Sequence, residues 1–143
     1  DATDVSSIPG LPGPGAADIV FLDAPCSGLG TLRRRSDRRW RLRLEDLVAL
    51  VRLQREMLEQ AASLVRPGGI VVYSTCSVAR RENHDVVAAF VTGPSGRRFR
   101  TVEPAGAVPE TWRRWVGPEG WFQSVPEAAG PDGHFAAVLL CEG

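Results

Sequence analysis

The order of apolar and amphipathic segments restricts this chain to one kind of architecture. Ala17–Asp23 and Ile70–Thr75 are short, almost wholly apolar runs, so both are predicted to be strands buried on both faces. Between them, apolar residues recur at helical spacing from about Leu44 to Arg66, and Pro67-Gly68-Gly69 follows as a stop signal. A second helix is predicted over roughly Arg81–Val91.

Weaker strand patterns follow in the last third of the chain. The predicted short strands are Phe99–Val102, Trp121–Val125 and His134–Leu140. Strand, long helix, strand, helix and a β-rich tail are the alternation of an α/β protein with a mostly parallel, doubly wound sheet. No internal repeat divides the chain, and 143 residues are the size of one ordinary domain.

Two of the three cysteines directly follow predicted strands. Cys26 comes just after the strand that ends at Asp23, and Cys76 comes just after Thr75. Ligands of such sheets bind beyond the carboxyl ends of the strands. If the two strands are neighbours, both thiols face one cleft. Cys141 is instead predicted to be a small buried hydrophobic residue.

The composition excludes several classes of protein. With 43% hydrophobic and 24% charged residues, the chain resembles an ordinary soluble globular protein. It has no apolar run long enough to span a membrane and no export leader. Three cysteines without C-x-x-C or Cys/His spacing argue against a disulfide or zinc framework. We therefore predict a cytoplasmic protein with reduced thiols, no metal and no membrane partner.

The basic residues are unevenly distributed, although the net charge is zero. All 17 are arginine, and seven of them fall within the predicted loop Arg33–Arg43, which also contains Trp40. Net charge alone argues neither for nor against a nucleic-acid partner. The segment is either a solvated surface or a site where arginines contact phosphates and Trp40 stacks on a base.

The most specific segments of the sequence surround the two cysteines. Asp23–Gly30 (DAPCSGLG) and Tyr73–Ser77 (YSTCS), in this order and with a long helix between them, resemble the Sun family of RNA cytosine-5 methyltransferases. The bacterial member of the family that methylates small-subunit ribosomal RNA is a close match. The resemblance covers most of the chain and is strongest over Asp18–Phe90. Further matches are Leu53-Gln54, Glu82-Asn83 and Asp132-Gly133.

The resemblance implies the C-terminal half of a Rossmann-like class I S-adenosylmethionine-dependent methyltransferase. Residues 1–143 are then expected to be part of a catalytic domain, with the glycine-rich cofactor loop upstream of Asp1. Without that half, the chain is expected to bind S-adenosylmethionine weakly or not at all. Exposed edges of the incomplete sheet would favour dimerisation or strand swapping.

Two cysteines suit the methylation of cytosine. Carbon 5 is a poor nucleophile until a thiolate adds to carbon 6, after which carbon 5 can take a methyl group. The adduct must then lose the carbon-5 proton and expel the thiolate. By resemblance, Cys76 is the nucleophile and Cys26 assists release, either as the base or as the group that orients it. The residues alone permit the reverse, because Pro-Cys is the nucleophile motif of the DNA cytosine-5 enzymes.

Three further residues are expected to contribute to the cofactor site. The resemblance assigns Asp23 to the cofactor and target region and Asp1 to the adenosine end of the cofactor. Pro25, whose ring fixes its own φ, is expected to set the turn that aims Cys26.

The expected function is methylation of carbon 5 of a cytosine in RNA, ribosomal RNA in particular, with the base flipped out of its stack. The alternative is a non-catalytic RNA-binding or ribosome-assembly factor that keeps the fold, although a scaffold has no need of two thiols in one cleft. A methyltransferase for a base amine or a protein side chain would leave both cysteines unexplained.

Overall fold

The computed structural model describes residues 10–103 and 108–143, which build a mixed sheet flanked by helices. The strands in chain order are β1 (Ala17–Asp23), β2 (Val65–Thr75), β3 (Phe99–Val102), β4 (Phe122–Gln123) and β5 (Phe135–Cys141). The α-helices are α1 (Arg38–Arg41), α2 (Leu44–Leu64) and α3 (His84–Thr92). Short 3-10 turns occupy Leu29–Thr31, Arg80–Glu82 and Glu110–Trp115.

The sheet has the strand order β1-β2-β5-β3, and the short strand β4 pairs with β5. Strands β1 and β2 are parallel neighbours, as expected for strands joined by the crossover helix α2. Strand β5 runs antiparallel to β2, β3 and β4. The α/β class is therefore confirmed. The predicted mostly parallel sheet is found only in part, because β1–β2 is parallel whereas the pairings of β5 with β2, β3 and β4 are antiparallel.

The core lies where α2 and α3 pack on the central strands. Helix α2 contacts both β1 and β2, and α3 contacts α2 and β3. The strands contribute fully buried Val71 and Tyr73 from β2 and Leu139 from β5. The helices contribute Leu58, Ala62, Val86, Val87 and Phe90. The residues predicted at helical spacing therefore supply the apolar faces of both helices.

The prediction that Ala17–Asp23 is buried on both faces is wrong. The strand forms as predicted, and Val20 and Leu22 pack against the core. Ile19 and Phe21, which point to the opposite face, are 65% and 66% exposed. The reason is that β1 lies at one end of the strand order and α2 packs on its core-facing side. The opposite face, which carries Ile19 and Phe21, therefore remains exposed.

The junction between α2 and β2 also differs from the prediction. The helix ends at Leu64 and β2 begins at Val65, so Pro67-Gly68-Gly69 lies inside the strand instead of between the two elements. Val65 already pairs with Ala17, and the register shifts before Ile19 pairs with Ile70. Pairing with β1 therefore starts earlier than the helix stop signals indicate.

Smaller differences concern the ends of elements. The predicted basic loop Arg33–Arg43 contains the short helix α1. The helix predicted from Arg81 is divided into the 3-10 turn Arg80–Glu82 and α3. The strand predicted over Trp121–Val125 shortens to the two residues of β4.

Within residues 10–103 and 108–143, none of the helices combines the length and apolar character that a membrane crossing requires. The same residues contain no group of three or more His, Cys, Asp or Glu side chains arranged to hold a metal ion.

Candidate active site

Cys26 and Cys76 meet at one edge of the sheet. Because β1 and β2 are parallel, with Asp23 paired to Ser74, their carboxyl ends lie side by side. Cys76 directly follows β2, and Cys26 follows β1 after a turn of two residues. The two sulfur atoms are 3.1 Å apart, and both thiols are free and half-buried. The strand topology predicted from the sequence thus brings the two thiols together.

Burial and the neighbouring thiol keep Cys26 protonated. Loss of solvent around Cys26, and then its hydrogen bond with Cys76, raise its pKa from 9.0 to about 12. A thiol becomes a good nucleophile only as the thiolate. At neutral pH, Cys26 therefore keeps its proton, which it can donate to the sulfur of Cys76, and is a poor nucleophile.

Backbone hydrogen bonds join the two cysteine loops to a third loop. The Gly30 amide donates to the Cys76 carbonyl at 3.0 Å, and the Gly133 amide donates to the Gly30 carbonyl at 2.9 Å. A Cβ at position 30 would lie 1.9 Å from the Gly133 carbonyl oxygen and 2.9 Å from that of Cys76. Glycine at position 30 is therefore required for the three loops to approach this closely.

A buried carboxylate lies directly beneath the thiols. Glu82 is 0% exposed and accepts hydrogen bonds from the Ser27 amide at 2.8 Å and from the Ser27 and Ser77 hydroxyls. The Gln54 side-chain amide donates both to Glu82, at 3.1 Å, and to the Pro25 carbonyl, at 2.9 Å. This cluster connects α2, both cysteine loops and the turn before α3.

Sequence reasoning does not find this cluster. It marks Gln54 and Glu82 only as matches to the Sun family, and the two serines only as neighbours of cysteines. A signal is present in the sequence, since a serine follows each cysteine and a glutamate lies five residues beyond Ser77. Spacing alone does not reveal that this glutamate is turned inward.

The other predicted site residues have different surroundings. Asp23 is exposed at the carboxyl end of β1, where the Ser74 hydroxyl donates to its carboxylate at 3.2 Å. Pro25 is exposed, and Gln54 fixes its carbonyl. Asp1 lies outside the described residues. Asp23 and Pro25 thus flank the thiol pair from the β1 side.

The arginine-rich segment Arg33–Arg43 divides into structural and available side chains. Arg33 and Arg34 pair with the mostly buried Asp132 at 3.3 and 2.9 Å. Arg38 donates to the carbonyls of Cys26 and Ser27 at 3.3 and 3.0 Å, which ties the segment to the Cys26 loop. Trp40 remains 85% exposed on α1.

A cavity of about 600 Å³ opens beside Cys26. Its lining combines Cys26 and Ser27 with three arginines, two aspartates and two leucines: Arg35, Arg38, Arg41, Asp37, Asp46, Leu42 and Leu50. Cys76 is not among the lining residues, although its sulfur lies 3.1 Å from that of Cys26. A volume in this range can hold a small-molecule-sized group. The cavity therefore places a thiol beside three arginine and two aspartate side chains.

Known proteins with similar sequences or folds identify the architecture. The crystal structure of PH0851 matches 98% of this chain with a TM-score of 0.78 and 35% identity, and this chain covers 30% of it. The structure of NSun6 from Pyrococcus horikoshii with SFG matches 100% of this chain with a TM-score of 0.74 and 26% identity, and 33% of that chain is covered. The fold is thus an α/β fold similar to that of Sun-family methyltransferases.

A family model described as 16S rRNA methyltransferase RsmB/F matches residues 2–140, and the chain belongs to this family. The ribosomal RNA small subunit methyltransferase B of Vibrio cholerae is 42% identical over 122 residues. That alignment covers 85% of this chain and 25% of the Vibrio protein. The chain therefore spans about a quarter to a third of the length of these relatives. The resemblance predicted from the cysteine motifs is confirmed.

Proposed function

We propose that this chain carries the catalytic thiols of an enzyme that methylates carbon 5 of a cytosine in RNA, with ribosomal RNA as the substrate. The observation that carries the proposal is the 3.1 Å separation of the Cys26 and Cys76 sulfurs at the carboxyl ends of parallel strands. The description of the matching family as 16S rRNA methyltransferases supports ribosomal RNA as the substrate.

In the proposed reaction the Cys76 thiolate adds to carbon 6 of the cytosine, and the electrons of the 5,6 double bond become available at carbon 5. S-adenosylmethionine, when bound, supplies the methyl group to carbon 5. A base then removes the carbon-5 proton, the double bond re-forms, and the bond between carbon 6 and the Cys76 sulfur breaks. Cys76 leaves as the thiolate it was at the start.

Cys26 assists the departure of Cys76. Its raised pKa keeps a proton on its sulfur, and that proton can be donated in a hydrogen bond to the sulfur 3.1 Å away. A hydrogen bond to a developing thiolate stabilises the negative charge on the leaving group. The same property makes Cys26 the weaker nucleophile, which supports the assignment of attack to Cys76.

Asp23 is well placed to bind the cofactor through its carboxylate. Its exposed carboxylate receives one hydroxyl donor, from Ser74, and a carboxylate has lone pairs for more donors. The end of a parallel strand is also where such folds bind ligands. The relative solved with SFG, an S-adenosylmethionine analogue, supports this choice of cofactor. Pro25 acts through the shape of the turn, and the role of Asp1 stays a prediction.

RNA would approach from the side of the arginine-rich segment. Arg35 and Arg41 line the cavity beside Cys26, and both side chains belong to exposed residues. Guanidinium groups in that position can contact the phosphates that flank a flipped base. The exposed Trp40 ring offers a stacking surface on the same segment.

Covalent trapping tests the proposal in the complete protein that carries these residues. RNA containing 5-azacytidine should form an adduct that survives denaturation. Position 5 of that ring is nitrogen, so after methylation it carries no proton whose loss could release the thiolate. Cys76→Ala should abolish the adduct. Cys26→Ala should retain it and should also accumulate a methylated adduct with unmodified RNA. Cys141→Ala, at a buried thiol on β5, is the control and should behave as the wild type.

Two outcomes would contradict the proposal. An adduct that persists in Cys76→Ala and disappears in Cys26→Ala would reverse the roles of the cysteines. Salt-sensitive RNA binding with neither adduct nor methyl incorporation would favour the non-catalytic RNA-binding factor.

A further inference from the structure

Glu82 is a fully buried carboxylate that is hydrogen-bonded to both cysteine loops, which is an unusual environment for a glutamate. Its side chain is completely buried, and both carboxylate oxygens accept hydrogen bonds. Among the described residues, no arginine or histidine nitrogen forms an ion pair with it. A buried carboxylate without a counter-ion is costly, so it persists where its hydrogen bonds are well satisfied.

The donors to Glu82 come from equivalent places in the two cysteine loops. Ser27 directly follows Cys26 and donates both its amide and its hydroxyl to the carboxylate. Ser77 directly follows Cys76 and donates its hydroxyl to the same oxygen as the Ser27 hydroxyl. The two hydroxyl oxygens are themselves 3.1 Å apart. The Glu82 carboxylate therefore binds the serine that directly follows each of the two cysteines.

The backbone of Glu82 is fixed as firmly as its side chain. The buried Tyr73 hydroxyl donates to the Glu82 carbonyl at 2.6 Å, which ties the turn Arg80–Glu82 to β2. Gln54 braces the carboxylate from α2 at 3.1 Å. Glu82 thus has little freedom to follow either cysteine loop, and both loops must conform to it.

We propose that Glu82 is a positioning residue that sets the distance between the two cysteine sulfurs by holding the serine that follows each of them. Its effect on methyl transfer rests on the proposed function; its effect on the thiol pair does not. Glu82 is fully buried, so it acts through the two loops and not through contact with a substrate.

Glu82→Gln is the substitution that tests the positioning role most directly. It keeps the shape of the side chain but replaces one acceptor oxygen with an amide that can only donate. With its remaining oxygen toward the Ser27 amide and Gln54, the new NH2 group faces the Ser27 and Ser77 hydroxyls, which must turn from donating to accepting. The strong bonds from both hydroxyls to a charged carboxylate are lost, so the two loops are held less firmly. A displacement near 1 Å can cost on the order of 100-fold in a reaction that depends on alignment.

The thiol pair itself provides a readout independent of methylation. Diamide takes the two thiol hydrogens and is reduced to the hydrazine, while a disulfide bond forms between the sulfurs. In the complete protein, the rate of coupling of Cys26 to Cys76, followed by peptide mass, should fall on the order of 10-fold or more in Glu82→Gln. The kcat of methyl transfer should fall similarly, with little change in the KM for RNA. Glu59→Gln, at an exposed glutamate of α2, should match the wild type.

Stability must be measured beside both rates. A coupling rate in folded Glu82→Gln equal to that of the wild type, whatever its melting temperature, would overturn the proposal and leave Glu82 a purely structural residue. Slower coupling together with a wild-type enzyme that transfers no methyl group would uphold the positioning role and refute the proposed function.

A second variant serves if Glu82→Gln fails to fold. Ser77→Ala removes the connection from Glu82 to the Cys76 loop, together with the contacts of the Ser77 hydroxyl with the Ser27 hydroxyl and the Ala79 amide, and leaves Ser27 and Gln54 on the carboxylate. Its coupling rate should fall several-fold. Ser63→Ala, which removes a hydroxyl bonded to the Gln60 carbonyl within α2, is the matched control. Equal coupling rates in the two variants would also overturn the proposal.

Discussion

The sulfur of Cys26 lies 3.1 Å from the sulfur of Cys76, close enough that neither thiol can change its charge without affecting the other. The burial of Cys26 and its hydrogen bond with Cys76 both favour a proton on Cys26. The raised pKa of Cys26 is therefore a consequence of its position in the fold, and the following predictions test it and the surrounding structure.

Alkylation should reveal the raised pKa of Cys26. Iodoacetamide reacts with thiolates, and a group whose pKa is raised from 9.0 to about 12 has almost none at neutral pH. In a Cys76→Ser variant, alkylation of Cys26 should be slow at neutral pH and accelerate only as the pH rises toward the pKa. Peptide mass after timed quenching measures the rate. Alkylation at the speed of an unstructured peptide thiol would contradict the prediction.

Gly30→Ala should disrupt the packing of the three loops. The added Cβ would meet the Gly133 carbonyl oxygen at 1.9 Å, and a backbone atom cannot move aside cheaply. We expect a loss of about 3 kcal/mol in the free energy of unfolding, measured by chemical denaturation. Gly13→Ala, where nothing lies within 4 Å of the new Cβ, should change stability little. Equal stabilities would refute the close approach of these loops.

Arg41→Ala should weaken RNA binding because one phosphate is no longer neutralised. Arg41 lines the cavity beside Cys26, whereas Arg52 on α2 pairs with Glu56 at 3.0 Å and serves as the control. The slope of log affinity against log salt should decrease by about 0.7 to 0.9 for each phosphate that the variant leaves without its arginine. Filter binding of the complete protein over a salt series measures it. An unchanged slope would indicate that the RNA takes another path.

The internal strand β5 and the end strand β1 should respond differently to truncation of an apolar side chain. Leu139 on β5 is fully buried, and Leu139→Ala should cost about 3 kcal/mol in the free energy of unfolding. Ile19 on β1 is 65% exposed, and Ile19→Ala should cost less than about 0.5 kcal/mol. Denaturation midpoints of the two variants provide the comparison. Similar losses would mean that Ile19 is covered in solution.

The elements that the sequence predicts well are those whose signal is local. The apolar run at β1, the helical spacing in α2 and the pattern of Phe99–Val102 all appear at or near the predicted positions. The meeting of Cys26 and Cys76 follows from a general rule, because neighbouring parallel strands end at one edge.

The missed features depend on contacts between distant residues. The exposure of Ile19 and Phe21 depends on which strands neighbour β1, and an apolar run carries no information about that. The inclusion of Pro67-Gly68-Gly69 in β2 depends on early pairing with Ala17, which overrides the local stop signal. The cluster around Glu82 forms only when α2, two loops and a 3-10 turn converge, so no local sequence pattern predicts it.

The bond between Gly133 and Gly30 makes the thiol pair depend on the far end of the chain. Gly133 stands just before β5, the strand that must insert beside β2, and contacts of such sequence separation form late in folding. The close approach of the Cys26 and Cys76 loops to the Gly133 loop is therefore completed only when β5 docks beside β2, so a residue more than a hundred positions from Gly30 helps to fix the loop that carries Cys26.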